Sequence, residues 1–105
     1  MNGRVYRFEF AADVRLEEVE AAMVLALFGT ESLHGLARTK LESAHHLDRE
    51  KRLLAVDAST QVGRDLSRLF TGFLIRELTL DGFSVERLER IDAPSAGPDA
   101  PSERD

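Results

Sequence analysis

The spacing of apolar residues along this chain switches repeatedly between two periods, and this alternation constrains the fold more than any other feature of the sequence. Near the N-terminus, Tyr6, Phe8 and Phe10 occupy every second position, which is the period of a half-buried β-strand. From about Leu16, apolar residues recur every three or four positions instead, which predicts an amphipathic helix. Either Gly29 or Gly35 could end this helix, and we expect the end at Gly35, which is a favourable residue directly after a helix.

The middle of the sequence is typical of an antiparallel hairpin. Alternation returns over residues 37–47 and again over residues 52–58, which predicts two further strands. The segment between them, residues 48–51, is short and polar. Because so short a connection joins antiparallel neighbours, we expect these two strands to pair directly with each other.

A second helix and a last strand complete the pattern. Ser59 or Thr60 is expected to cap a helix whose apolar face continues to Leu78, and alternation from Phe83 to about Leu88 predicts the final strand. The resulting order, β-α-β-β-α-β, is typical of the ferredoxin-like sandwich. We therefore predict an α+β fold in which two helices cover one face of a four-stranded antiparallel sheet.

The predicted domain occupies residues 1–91, and a segment of different composition follows it. All three prolines of the chain lie in residues 92–105, together with four acidic residues and one arginine, and this segment has no large apolar residue. Such a segment cannot bury enough surface to offset the entropy lost on ordering. The sequence therefore predicts a disordered, acidic, proline-containing tail behind a single domain.

Charge and composition argue against several classes of function. Residues 1–91 carry 15 acidic and 13 basic side chains, whereas nucleic-acid binding requires clustered positive charge. The longest apolar run, residues 21–28, is far shorter than the roughly 20 residues of a membrane span. The absence of cysteine excludes zinc fingers and disulfides and fits a reducing compartment. We expect a cytoplasmic protein that binds neither nucleic acid nor membrane.

No motif of the known catalytic or cofactor-binding types is present. The chain has no nucleophile elbow, no phosphate-binding loop and no dinucleotide-binding glycine pattern. His45 and His46 are adjacent in a predicted strand, so their side chains point to opposite faces and cannot hold one metal ion together. The sheet face away from the helices is expected to carry mixed charges and no aromatic residue. We predict no cofactor, no metal and no catalytic residue.

One segment has the composition of an anion-binding site. Residues 57–64 lead from a predicted strand into the start of a helix, where free backbone N–H groups attract negative charge. Ser59 and Thr60 could donate hydroxyl groups, Gly63 would let a ligand approach the backbone, and Arg64 and Arg68 could add positive charge. The alternative is structural: a hydroxyl caps the helix, and Gly63 permits close packing on the sheet.

The first predicted helix is apolar beyond the face that must cover the sheet. Residues 21–28 contain no polar side chain, and Val24, Leu25 and Phe28 widen the apolar surface well past one stripe. Exposed apolar surface of this kind usually marks an interface. The alternative is burial of these three side chains beneath the following loop and the neighbouring helix.

Two functions therefore remain open. The leading hypothesis is a non-enzymatic protein-interaction or assembly module, acting as a homo-oligomer (most simply a dimer) or as a subunit with another protein partner. The alternative is a small-ligand-binding or enzymatic domain that holds an anionic group at residues 59–64. The sequence names neither the ligand nor the partner.

Overall fold

A computed structural model describes residues 2–78 and 80–91 of the chain, with the side chains of residues 3–78 and 80–89. These residues form an α+β fold with a four-stranded antiparallel sheet and three α-helices. In chain order the elements are β1 (Asn2–Phe10), α1 (Leu16–His34), α2 (Leu36–Glu42), β2 (His45–Asp48), β3 (Leu53–Asp57), α3 (Gln61–Glu77) and β4 (Phe83–Ile91), with a 3₁₀ turn at Leu80–Gly82 before β4. The predicted tail, residues 92–105, lies outside the described residues.

The strands pair in the order β2-β3-β1-β4, so β1 and β3 are central and β2 and β4 lie at the edges. Phe8 of β1 stands opposite Leu54 of β3 and Val85 of β4. Side chains alternate between the two faces of a strand, so this register places the three on the same face of the sheet. The predicted alternation of β1 is confirmed: Phe8 and Phe10 are buried, whereas their neighbour Glu9 is exposed.

The core lies between that face of the sheet and the helices α1 and α3. Phe8 and Phe70 meet edge to face at its centre, with ring centroids 4.9 Å apart. Each helix contributes side chains at three- and four-residue spacing. These are Val19, Ala22, Met23 and Ala26 from α1, and Leu66, Phe70 and Leu74 from α3. The helical periods read from the sequence are therefore those that pack the core.

The predicted strand over residues 37–47 is wrong for its first half, which is the helix α2. Gly35 ends α1 as expected, at a positive φ of 88°, and α2 begins at the next residue. Thr39 is buried on α2 and donates a hydrogen bond to the Gly35 carbonyl at 2.8 Å. Arg38 and Glu42 form an ion pair across one helical turn. Over only seven residues, an alternation of polar and apolar positions is compatible with a helix as well as with a strand. Tertiary contacts decide between these two conformations.

None of the helices in the described part of the chain is long and apolar enough to cross a membrane. Strand β2 is shortened to His45–Asp48, and it pairs antiparallel with β3 as the hairpin prediction required.

Candidate functional site

The start of α3 uses its hydroxyl groups within the chain. The Thr60 hydroxyl accepts a hydrogen bond from the Gly63 N–H at 2.9 Å and donates one to the Glu42 carbonyl at 2.5 Å. Thr60 therefore caps α3 and also links the first turn of α3 to the end of α2 by a hydrogen bond. The Ser59 hydroxyl donates to Oδ1 of Asp57 at 2.7 Å, and the Ser59 N–H donates to the same oxygen at 2.9 Å.

Gly63 lies where the first turn of α3 crosses the end of β3. A Cβ atom at this position would stand 2.0 Å from the carbonyl oxygen of Asp57. The close approach expected at Gly63 is thus made by the backbone of the chain itself. A carboxylate and a carbonyl oxygen of Asp57 both lie near the helix start, and both are unfavourable neighbours for an anion.

The two arginines of the predicted set line a groove between α3 and the β1–β4 side of the sheet. This α3–β4 groove encloses about 360 Å³. Its lining residues are Tyr6 and Val85 from the sheet and Arg64, Ser67, Arg68 and Thr71 from α3. The structure therefore brings Arg64 and Arg68 together, and it leaves Ser59, Thr60 and Gly63 outside the groove.

The floor of the groove exists because β4 is an edge strand. Tyr6 and Val85 lie on the face of the sheet that carries the core residue Phe8, since Val85 stands opposite Phe8 and Tyr6 lies two residues before it in β1. Helix α3 packs over the centre of the sheet and leaves Val85 43% exposed. An apolar strip on the core side of the sheet thus remains open to solvent. Sequence reasoning missed both residues because it assigned the whole of this face to the core.

The groove carries positive charge that the chain itself does not fully neutralise. The Arg64 guanidinium donates to the Ala58 carbonyl at 3.3 Å and to Oε1 of Gln61 at 3.2 Å, and both acceptors are uncharged. Arg68 Nη1 lies 3.7 Å from Oδ1 of Asp65, but the Arg68 side chain is 78% exposed. An exposed pair at that distance is screened by solvent and contributes little.

Three hydroxyl groups also line the groove. The Ser67 hydroxyl donates to the Gly63 carbonyl at 2.9 Å, and the Thr71 hydroxyl donates to the Ser67 carbonyl at 2.8 Å. Both oxygens keep the ability to accept a further bond. The Tyr6 hydroxyl has no hydrogen-bond partner among the described residues.

The second candidate surface is the outer face of α1. Val24, Leu25 and Phe28 are 50%, 44% and 61% exposed, respectively. They lie on the side of α1 opposite Val19 and Ala26, which are fully buried. We call the three exposed side chains the α1 stripe. Within the described chain, neither the following segment nor the neighbouring helix covers it.

Other exposed apolar side chains were not singled out from the sequence. They are Leu33, Leu36, Leu41, Ile75, Leu80 and Leu88. Leu41 is 84% exposed on α2, and its assignment to a strand concealed this position. A helical reading of residues 36–42 would have placed Leu41 on the outer side, away from Thr39.

The three histidines lie in two different surroundings. His45 stands opposite Val56 and His46 opposite Ala55, so the two side chains point to opposite faces of β2. Burial, and secondarily the charge of His46, lowers the pKa of His45 below its usual value. His34 instead donates from Nε2 to Oδ2 of Asp65 at 2.7 Å, which joins α1 to α3. Among the described residues, no three histidine, aspartate or glutamate side chains are placed to hold a metal ion.

The hydrogen bond from His34 has a consequence for its partner. It is the main reason that the pKa of Asp65 is lowered, and a second bond, from the Gln61 side chain at 2.9 Å, acts in the same direction. His34 and Asp65 are 31 residues apart, and no local pattern in the sequence indicates their pairing.

No model of a known protein family matches this chain, and no curated protein matches it either. The α1 stripe and the α3–β4 groove are therefore interpreted from their geometry.

Proposed function

We propose that this protein is a non-enzymatic assembly module of the cytoplasm, and that it associates with a second copy of itself through the α1 stripe. The observation that supports this function is the exposure of Val24, Leu25 and Phe28 on one helix face that has no polar side chain between them. The lack of cysteine fits the reducing compartment.

Burial of the stripe supplies the free energy for association. Each large apolar side chain contributes about 1.5–3 kcal/mol when it is transferred completely from water. Val24, Leu25 and Phe28 are about half exposed, so each can still contribute a substantial part of that amount. Association also costs translational and rotational entropy. Three adjacent side chains on each of two copies offset more of that cost than scattered apolar residues would.

A twofold axis across α1 matches the stripe of one copy with the stripe of the other. Glu17 precedes the stripe and Glu31 follows it on α1, whereas Glu20 is paired with Arg49. The charged side chains thus flank the apolar contact and leave its centre free of charge.

The same proposal includes a ferredoxin-like topology to which α2 has been added. The strand order β2-β3-β1-β4, with every neighbouring pair antiparallel, supports it. The alternation of elements also supports it, because α2 is the one α-helix of the described residues that is additional to the β-α-β-β-α-β pattern. This topology hosts many unrelated functions, so the assembly function depends on the stripe and not on the fold.

The mass in solution tests the association. We expect light scattering to give twice the 11.7 kDa of one chain. Leu25→Glu or Phe28→Glu should shift the protein toward the monomer, because a charge would be buried in the interface. Leu41→Glu is the matched control, since Leu41 is also exposed and apolar but lies on α2. A wild-type mass of one chain at the highest soluble concentration would overturn the proposal.

The absence of cysteine allows a direct test of the contact surface. A single Leu25→Cys variant should form a disulfide-linked dimer rapidly in air, because a symmetric interface brings the two copies of position 25 close together. A Leu41→Cys variant should form this product slowly. Equal rates for the two variants would show that the stripe is not the contact surface.

A further inference from the structure

We propose that the α3–β4 groove binds a small organic anion with an apolar body, that is, a carboxylate or a phosphate monoester on a short alkyl or aromatic group. This site is independent of the α1 stripe, because α1 contributes no residue to the groove. It also differs from the helix start that the sequence pointed to, since Ser59, Thr60 and Gly63 do not line it.

The dimensions of the groove fit a small molecule. Its volume of about 360 Å³ lies within the range of roughly 300–1,000 Å³ that is usual for ligand pockets. Val85 on the edge strand β4 is 43% exposed, so the apolar part of the groove is accessible from solvent.

The cationic side of the groove selects the charge of the ligand. Arg64 has only neutral acceptors, Arg68 has one distant carboxylate, and both guanidinium groups line the same cavity from one side of α3. A carboxylate or phosphate can accept two parallel hydrogen bonds from a guanidinium group. Arg87 stands opposite Tyr6 on the adjacent strand and adds a third positive charge to this face.

The apolar side of the groove selects the body of the ligand. The ring of Tyr6 and the half-exposed side chain of Val85 form a floor that an alkyl or aromatic group would cover. The hydroxyl of Tyr6 has no partner among the described residues and can donate to the ligand. Inorganic phosphate would satisfy the arginines but leave this floor in water, so we expect it to bind more weakly than an amphipathic anion.

The emission of Tyr6 reports on the groove directly. Tyr6 is the one tyrosine of the chain and there is no tryptophan, so tyrosine fluorescence arises at this site alone. Titration of the full chain with hexanoate and with hexyl phosphate should change the emission and reach saturation. Hexanol tests the need for charge, and inorganic phosphate tests the need for an apolar body. The ratio of the affinities for hexanoate and hexyl phosphate shows whether the groove prefers a carboxylate or a phosphate.

Substitutions of the two arginines test their role. Of hexanoate and hexyl phosphate, the one that binds more tightly is used here. Arg64→Gln and Arg68→Gln should each lower its affinity by about tenfold, because each removes a charged hydrogen bond. Arg76→Gln is the matched control, since Arg76 lies on α3 but does not line the groove. Arg68 is largely exposed, so its variant should keep the wild-type melting temperature even if Arg64→Gln does not.

Three results would overturn the proposal. One is that neither hexyl anion causes a saturable change in tyrosine emission. Another is that hexanol and hexanoate bind with equal affinity. The third is that the Arg64→Gln and Arg68→Gln variants both fold and both bind the hexyl anion with wild-type affinity. None of these results bears on the oligomeric state, so this proposal and the assembly function can fail separately.

Discussion

Gly63 and Gly72 lie in the same helix, but they differ in what surrounds the missing side chain. A Cβ atom at Gly63 would stand 2.0 Å from the carbonyl oxygen of Asp57, a backbone atom that cannot move aside easily. A Cβ atom at Gly72 would meet nothing within 4 Å. Glycine is therefore required at the first position for packing, whereas at the second it only lowers helix propensity.

Alanine substitutions at these two positions should therefore have opposite effects on stability. Gly63→Ala forces α3 away from the end of β3, and we expect it to cost about 1–3 kcal/mol or more. Gly72→Ala should stabilise the protein by roughly 0.4–1 kcal/mol through the unfolded chain. Urea unfolding of both variants beside the wild type measures the difference. Equal stability of Gly63→Ala and the wild type would contradict the close approach between the two elements.

At the scale of elements, α1 and α3 differ in how much of their surface the fold uses. Helix α3 is amphipathic: Leu66, Phe70 and Leu74 are buried, and Arg68 and Arg76 are exposed. Helix α1 buries an equivalent face but keeps the apolar stripe on its outer side. Helix α1 thus carries a group of adjacent exposed apolar side chains, whereas Ile75 is the one large apolar side chain of α3 that is exposed.

The contact between α1 and α3 includes the His34–Asp65 hydrogen bond, which makes stability depend on pH. The pKa of Asp65 is lower in the folded chain than its usual value, mainly because of His34. A carboxyl group of this kind stabilises the fold above its unfolded pKa, and the contribution is lost as pH falls through the lowered pKa. We therefore expect the free energy of unfolding of Asp65→Asn to fall less steeply than that of the wild type as the pH decreases below about 4.

Urea unfolding measured at a series of acidic pH values checks this expectation. Asp13→Asn is the control, because Asp13 is exposed and forms no hydrogen bond or ion pair with the described residues. If the acid-induced loss of stability in Asp65→Asn followed that of the wild type, the hydrogen bond between the two helices would not be the cause.

At the scale of the whole molecule, the small size of the domain means that the proposed association would add to its stability. A domain of about this length buries little more than 60% of its unfolded surface and is only marginally stable. If a second copy covers the α1 stripe, folding and association are coupled by mass action. The melting temperature of the wild type should then rise with protein concentration. That of Phe28→Glu should be independent of concentration, and a constant value for the wild type would contradict the coupling.

Much of the fold could be predicted from the sequence because local and tertiary preferences agree there. The strand β1 and the helices α1 and α3 follow clear periods over enough residues to exclude the alternative, whereas the short strand β3 is indicated also by the polar turn that precedes it. Helix α2 is too short for its period to be unambiguous. The burial of Thr39 and the contact of α2 with Thr60 determine its conformation, and both depend on distant parts of the chain.

Of the two candidate sites, the α1 stripe could be predicted from the sequence, whereas the α3–β4 groove could not. The sequence by itself predicted that Val24, Leu25 and Phe28 extend the apolar surface of α1 beyond one face, because the spacing of residues fixes their positions around a helix. The structure leaves these three side chains exposed. Only the tertiary structure decided that Arg64 and Arg68 line a groove together with Tyr6 and Val85. Strand register and the position of α3 over the centre of the sheet leave the β4 edge uncovered. Those arrangements arise from contacts between residues as far apart in the chain as Asn2 and Ile91, which no local pattern encodes.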